Sequence, residues 1–317
     1  MASCRTCCGN WSADVESVLL KQLFVLSAAA MMSGCRFWYK PIPVANAIGE
    51  EETVLAGDTV NVHRGERFEV YGPNSEAVYD GYEQLNRAYR AFERHLAARA
   101  PRLAFVLFRD SVVHLDSATL RPFRQRGFTV VEYARPRSVR ARRRYSGIDY
   151  GGVLWPIAPT AARVMLARFA HEQLDADGFH SDSLLERFPL WYRAAVILLV
   201  GEAGSFANDL EYLREKRDQW LPFRDLLLLV RPTSADSLVD PSRRGEADEA
   251  TRIVAAQSST FGRYLVEREG TAVLGRLGRG YLAGRTLNEM IAEFQSAPRT
   301  LSELELRWKA WVDTREE

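Results

Sequence analysis

Five residues, His171-Glu172-Gln173-Leu174-Asp175, close an apolar run over residues 161–174. A second apolar run opens shortly afterwards with Pro189-Leu190-Trp191-Tyr192-Arg193-Ala194-Ala195 and ends at Val200. Runs of this length and pattern predict two helices packed on each other. Residues four apart on a helix share a face, so a His-x-x-x-His pair would turn both imidazoles toward one metal ion. A Glu between them would polarise a metal-bound water. Here His171 and Glu172 hold the first two positions of that pattern, and Asp175 stands where the second His is needed. A carboxylate can ligate zinc, so this one exchange weakens such a site without abolishing it.

Upstream of these helices the chain reads as a small sheet. Residues 59–63 and 67–71 alternate as strands around Arg64-Gly65-Glu66, a hairpin signal. Val78, Tyr82, Leu85, Tyr89, Phe92 and Leu96 recur at spacings of three and four, predicting an amphipathic helix over residues 74–98. Residues 102–108 read as a buried strand, 117–126 as a helix and 128–133 as another strand. Residues 148–155 predict a further strand whose Gly151 and Gly152 allow close backbone approach, and Gly151, Gly152, Val153 and Leu154 form a candidate edge for a peptide groove. Downstream, residues 231–245 form a loop rich in Pro, Ser, Asp and Arg. Helices are predicted over 247–269, 272–283, 287–295 and 301–312, with Gly270 and Gly284 as stops and Thr300 with Glu303 as a capping box. Strands first and helices later give an α+β fold: a small N-terminal mixed sheet with helices, followed by a helical C-terminal lobe.

A chain of 317 residues is long enough for a substantial core. Its net charge of +1 supplies no global field toward nucleic acid or an anionic membrane, and nucleic acid is not an expected partner. Residues 135–144 carry six arginines without interleaved aromatics and read as a solvated loop. All four cysteines, Cys4, Cys7, Cys8 and Cys35, lie in the first 35 residues, so the folded body has neither a disulfide nor a thiolate metal site. Lys21, the short apolar stretch 23–32 and Ser33-Gly34-Cys35 have the order of a secretory signal, and the stretch is too short to span a bilayer permanently. An ordinary apolar N-terminal helix is the competing reading, and a metal knuckle at Cys4, Cys7 and Cys8 lacks a second half. The Ser-Gly-Cys ending resembles a bacterial lipobox, which implies lipidation of Cys35. Met32 stands where Leu is usual, and the residues before Lys21 fit a translation start near Val15 or Val18. The organisation expected is a leader over 1–35, a tether over 36–57 with Pro41, Pro43 and an acidic turn at Glu50-Glu51-Glu52, and a domain over 58–317. That domain divides into a sheet-containing lobe, 58–175, and a helical lobe, 176–317.

Several further segments, in order, resemble the bacterial peptidase-MA-like proteins, a gluzincin group of zinc metallopeptidases. Phe68 to Tyr71 is similar to the opening strand, 74–98 to the first long helix, and Gly151 to Trp155 to the edge strand before the active-site helix. Leu221-Pro222-Phe223-Arg224-Asp225-Leu226 is similar to the family's Leu-Pro-Leu-x-x-Leu turn, and Ala256-Gln257-Ser258 to its Ala-Gln-Ser segment. Residues 301–312 are similar to the terminal Leu-Glu-x-x-Trp helix. The resemblance covers roughly residues 58–313 and implies a zincin-like fold. In the family, the Trp of the second helix is followed by a ligand Glu and then Gly. Here the Glu position carries Ala194 and the Gly position Ala195. Alanine cannot ligate a metal, and Arg193 beside it repels a cation. Glu202 lies two turns on, about 11 Å of helix rise away, and His180 lies in the intervening loop.

Three functions follow as expectations. The first is an exported, lipid-anchored envelope protein whose degenerate cleft binds a peptide or another envelope protein beside the Gly151–Leu154 edge, without cofactor. The second is a zinc metallopeptidase using His171, Asp175 and an unidentified third ligand, with Glu172 as general base. The third is an assembly component contacting partners through the arginine loop.

Overall fold

Residues Leu103–Phe108 (LAFVLF) form strand β4, and their unbroken apolar character requires cover on both faces. The computed structural model describes residues 51–108, 114–134, 157–175, 179–201, 206–229, 244–296 and 298–315. Strands β1 (Glu51–Leu55), β2 (Asp58–Arg64), β3 (Phe68–Gly72), β4 and β5 (Thr129–Ala134) make one sheet in that order. The pairs β1–β2 and β2–β3 are antiparallel, whereas β3–β4 and β4–β5 are parallel. Parallel neighbours need crossover connections. Helices α1 (Ser75–Leu96) and α2 (Ser117–Gln125) supply them.

The two helices lie on opposite faces. Phe68, Val70, Leu103, Phe105, Leu107 and Val131 join the α1 side of the core. Tyr71, Ala104 and Val106 meet Phe123 of α2 on the other. This is the period-two alternation of strand side chains. Asn74 caps α1 by accepting from the Ala77 amide at 2.9 Å. Tyr89 of α1 ties the helix to the sheet: its hydroxyl donates to the Pro101 carbonyl at 2.6 Å and accepts from the Leu103 amide at 3.1 Å.

The remaining helices are α3 (Ala158–Leu174), α4 (Ser181–Leu185), α5 (Leu190–Val200), α6 (Phe206–Glu215), α7 (Phe223–Leu228), α8 (Arg244–Glu269), α9 (Val273–Leu282), α10 (Leu287–Met290) and α11 (Leu301–Thr314). Helix α5 packs along α8. There Gly262 permits close approach, since a Cβ at that position would lie 2.8 Å from the Cβ of Ala195. Trp191 is fully buried against Phe261 at 4.9 Å between ring centres, and Tyr192 donates to the Leu274 carbonyl at 2.7 Å. Trp308 of α11 packs at a tilt against Phe223 and Trp220, with ring centres 5.1 and 5.2 Å apart. One apolar cluster runs from Phe68 to Val312, so the sheet-bearing and helical parts share a single core. Among the described residues no helix is long and apolar enough to cross a membrane.

The α+β expectation holds, with a mixed five-stranded sheet followed by helices. The tether does not extend to residue 57: Glu51–Leu55 pair with β2 as edge strand β1. Alternation in a five-residue strand half exposed on both faces is too faint to read beside three consecutive glutamates. The expected helix over 287–295 is shorter, α10 followed by a 3-10 turn at Ile291–Glu293. Gly270 and Gly284 do act as stops, with φ of 86° and 78°. At Thr300 only half of the expected box forms. Its hydroxyl accepts from the Glu303 amide at 3.1 Å, while the Glu303 carboxylate takes the Arg299 amide instead. The full reciprocal box occurs at Thr286 and Glu289. The sequence reading did not pick out α4, α6 or the box at Thr286, and it read the start of α7 as a turn.

One long-range contact positions the helix that carries His171. Gln84 of α1 is buried, and its side-chain oxygen accepts from the amides of Ile157 at 2.9 Å and Ala158 at 3.3 Å. Ile157 itself offers no side-chain cap, so Gln84 satisfies donors that the first turn of α3 leaves open. Gln84→Leu keeps the volume and strands those amides. Urea denaturation should show a loss of about 1–3 kcal/mol.

Candidate functional site

Helix α3 buries Ala161, Ala162, Met165, Leu166, Phe169 and Ala170 against its neighbours. His171 follows on the last turn at the margin of that face and is half-buried. Its ring meets Phe179 edge-on, with centroids 5.8 Å apart, and its Nδ1 is buried without a hydrogen-bond partner. The guanidinium of Arg168 lies over the same Phe179 ring at 4.0 Å. Arg168 also donates from Nε to the Thr129 hydroxyl on β5 at 2.7 Å. Burial pulls the Arg168 pKa down, and the nearby charge of Glu172 partly opposes it. Arg168, His171 and Phe179 therefore form a packed unit that fastens the end of α3 to β5 and to the segment before α4.

The helix ends at Leu174. Asp175 caps it with φ 46° and ψ 44°, and its amide donates to the His171 carbonyl. Compared with a helical φ of about −63°, this turns the Asp175 side chain by roughly 110° about its N–Cα bond. The carboxylate thus leaves the line along which an i+4 residue would meet His171. Asp175 and Glu172 are both exposed. The sequence reading offered Asp175 as a ligand only in its alternative, metal-binding form, and the structure puts Asp175 at the left-handed cap of α3 instead of within the helix. The left-handed cap ends the helix at Leu174, one residue before Asp175.

Ala194 lies on α5, partly buried, and offers no donor atom. Its neighbour Ala195 is fully buried opposite Gly262, so the small residues here serve the contact between α5 and α8. Arg193 is half-buried; burial lowers its pKa, and the charge of Arg163 lowers it further. Arg163 pairs with Asp182 at 2.8 Å. His180 precedes α4 and is exposed. Among the described residues no three His, Cys, Asp or Glu side chains gather closely enough to hold a metal ion. With Asp175 turned away and Ala194 without a donor, the residues of α3 and α5 do not fit a three-ligand zinc site.

Cys35, the Gly151, Gly152, Val153 and Leu154 edge, the arginine loop 135–144 and Glu202 lie outside the described residues. Sequence reasoning missed Arg168, Phe179 and Thr129. The spacing of three between Arg168 and His171 puts them on one helix face, but nothing local to the sequence points to Phe179 or β5. Comparisons with family models, with curated proteins and with solved structures returned no match.

Asp175 also makes a direct test possible. A non-glycine residue in the left-handed region is strained, and glycine relieves that strain at helix ends. Asp175→Gly should raise stability by about 0.5–1 kcal/mol, seen as a small increase in melting temperature. A lower melting temperature would mean that the carboxylate makes a stabilising contact.

Proposed function

We propose that this protein is an exported bacterial envelope lipoprotein, anchored through Cys35, whose gluzincin-like domain is non-catalytic and serves as a binding or assembly module. One observation carries the non-catalytic part. The helix bearing His171 and Glu172 stops at Leu174, so Asp175 is a left-handed cap outside the helical spacing that a His-x-x-x-ligand pair uses. Ala194 on α5, where the resemblance would put a glutamate, supports the same reading. The leader, with Lys21, its short apolar stretch and Ser33-Gly34-Cys35, supports export and lipidation. The partner expected is an extended peptide or another envelope protein, held by backbone hydrogen bonds beside Gly151, Gly152, Val153 and Leu154.

Two measurements test the reading. The full chain and His171→Ala, purified without chelator and dialysed against zinc, should retain no metal that the substitution removes. About one zinc per chain, lost in His171→Ala, would instead establish a metal site and restore the peptidase reading with Glu172 as base. In a bacterial host, labelled palmitate should enter the wild-type chain and not Cys35→Ser, and the variant should leave the membrane fraction. Equal membrane retention of both would remove the anchor from the proposal.

A further inference from the structure

The sheet face covered by α2 is only partly filled. Helix α2 lies over β3, β4 and β5, and beside it, against β1 and β2, is a cavity of about 380 Å³. That volume falls within the range of small-ligand sites. Its polar wall is made by Arg64 of β2, Arg126 at the end of α2 and the Tyr71 hydroxyl of β3.

The charges around this wall are arranged unevenly. Glu69 is buried, accepts from Arg126 Nη2 at 2.9 Å and from the Tyr71 hydroxyl at 2.8 Å, and is also bonded by Arg126 Nη1. Arg64 bonds Glu51. Both guanidiniums line the same cavity as Tyr71. Neither Glu51 nor Glu69 lines the cavity, whereas Arg64 and Arg126 both do. The interior therefore meets two cations and no carboxylate, although the four charges sum to zero. The set is already neutral, so an anion is held by guanidinium donors facing the cavity and not by net charge, and a monoanion adds less repulsion than a dianion. The rest of the lining is Thr53 and Thr119 together with the apolar Ala56, Leu55, Pro122, Phe123 and Val54, the last 69% exposed. An exposed valine at the mouth of a cavity gains from being covered.

We propose that this cavity binds a small organic carboxylate with an apolar body. Its carboxylate bridges Arg64 and Arg126, and its body lies against Val54, Leu55 and Phe123. Guanidinium groups suit this task because their planar donors match carboxylate geometry. The acid is either a free metabolite or the last residue of a peptide. The proposal does not rest on the reading of α3 and α5.

Ligand-observed NMR with the full chain tests it, using 4-methylpentanoate, 4-methylpentanamide and an N-acetylated tripeptide ending in leucine with a free carboxylate. The acid should bind and the amide should not. Arg64→Gln, which removes an exposed pair, should weaken the acid about tenfold. Val54→Asp, a surface change that sets a negative charge at the mouth, should weaken it as well. Circular dichroism should show both variants folded. Tighter binding of the tripeptide than of the acid assigns the site to a peptide C-terminus, and the reverse assigns it to a free acid. Absence of binding by either carboxylate up to about 10 mM overturns the proposal, as does binding that neither variant changes.

Discussion

Leu103, Phe105 and Leu107 leave β4 on one side of the sheet, and Ala104 and Val106 leave it on the other. Both sets are buried, so the sheet must be covered twice. Helix α1 meets the first demand and α2 the second. Among the described residues, the helices after β5 build on the α1 side, where α3, α5, α8 and α9 extend the same apolar cluster. The approach of α9 to the end of α1 is so close that a Cβ on Gly275 would lie 1.9 Å from the Leu96 carbonyl oxygen. The α2 side receives no such addition among the described residues. It remains a thin layer, and the carboxylate cavity opens at its edge.

The placement of His171 follows from this arrangement by a short chain of contacts. Gln84 of α1 takes the first free amides of α3 and so fixes where that helix starts. Apolar burial fixes its rotation, and Arg168, held between Thr129 and Phe179, fixes its far end. The turn at Asp175 then ends the helix. The His171 ring is packed on Phe179. At the end of α3, Arg168 and His171 hold neighbouring elements together through Thr129 and Phe179.

Buried charge is handled by pairing. Glu69, 2% exposed, would be costly alone; Arg126 and Tyr71 satisfy its oxygens. Glu269, also buried, accepts from the amide of Ser296 at 3.1 Å and bonds the amide of Gln295 and the hydroxyl of Ser296, joining the end of α8 to the segment before α11. In the first case the pairing leaves guanidinium edges facing a cavity; in the second it leaves nothing facing solvent.

The sequence by itself determined the strands β2 to β5, the long helices and their stops. Apolar periodicity and the glycines at 270 and 284 are local signals, and local backbone preference answers to them directly. It also showed that Ala194 cannot be a ligand, because that follows from the side chain alone. It did not reveal β1, whose five residues become a strand only by pairing with β2. It misread Thr300, where the reciprocal half of the cap depended on which amide the Glu303 carboxylate reached. Most of the candidate site lay in the same category. Whether Asp175 faced His171 depended on one backbone torsion, set where α3 lost cover and ended. The meeting of Arg168 with Thr129, of His171 with Phe179, and of Arg64 with Arg126 joined residues that adjacency in the chain does not bring together. Only tertiary packing, which decides which faces are buried and which charges must share them, made those encounters.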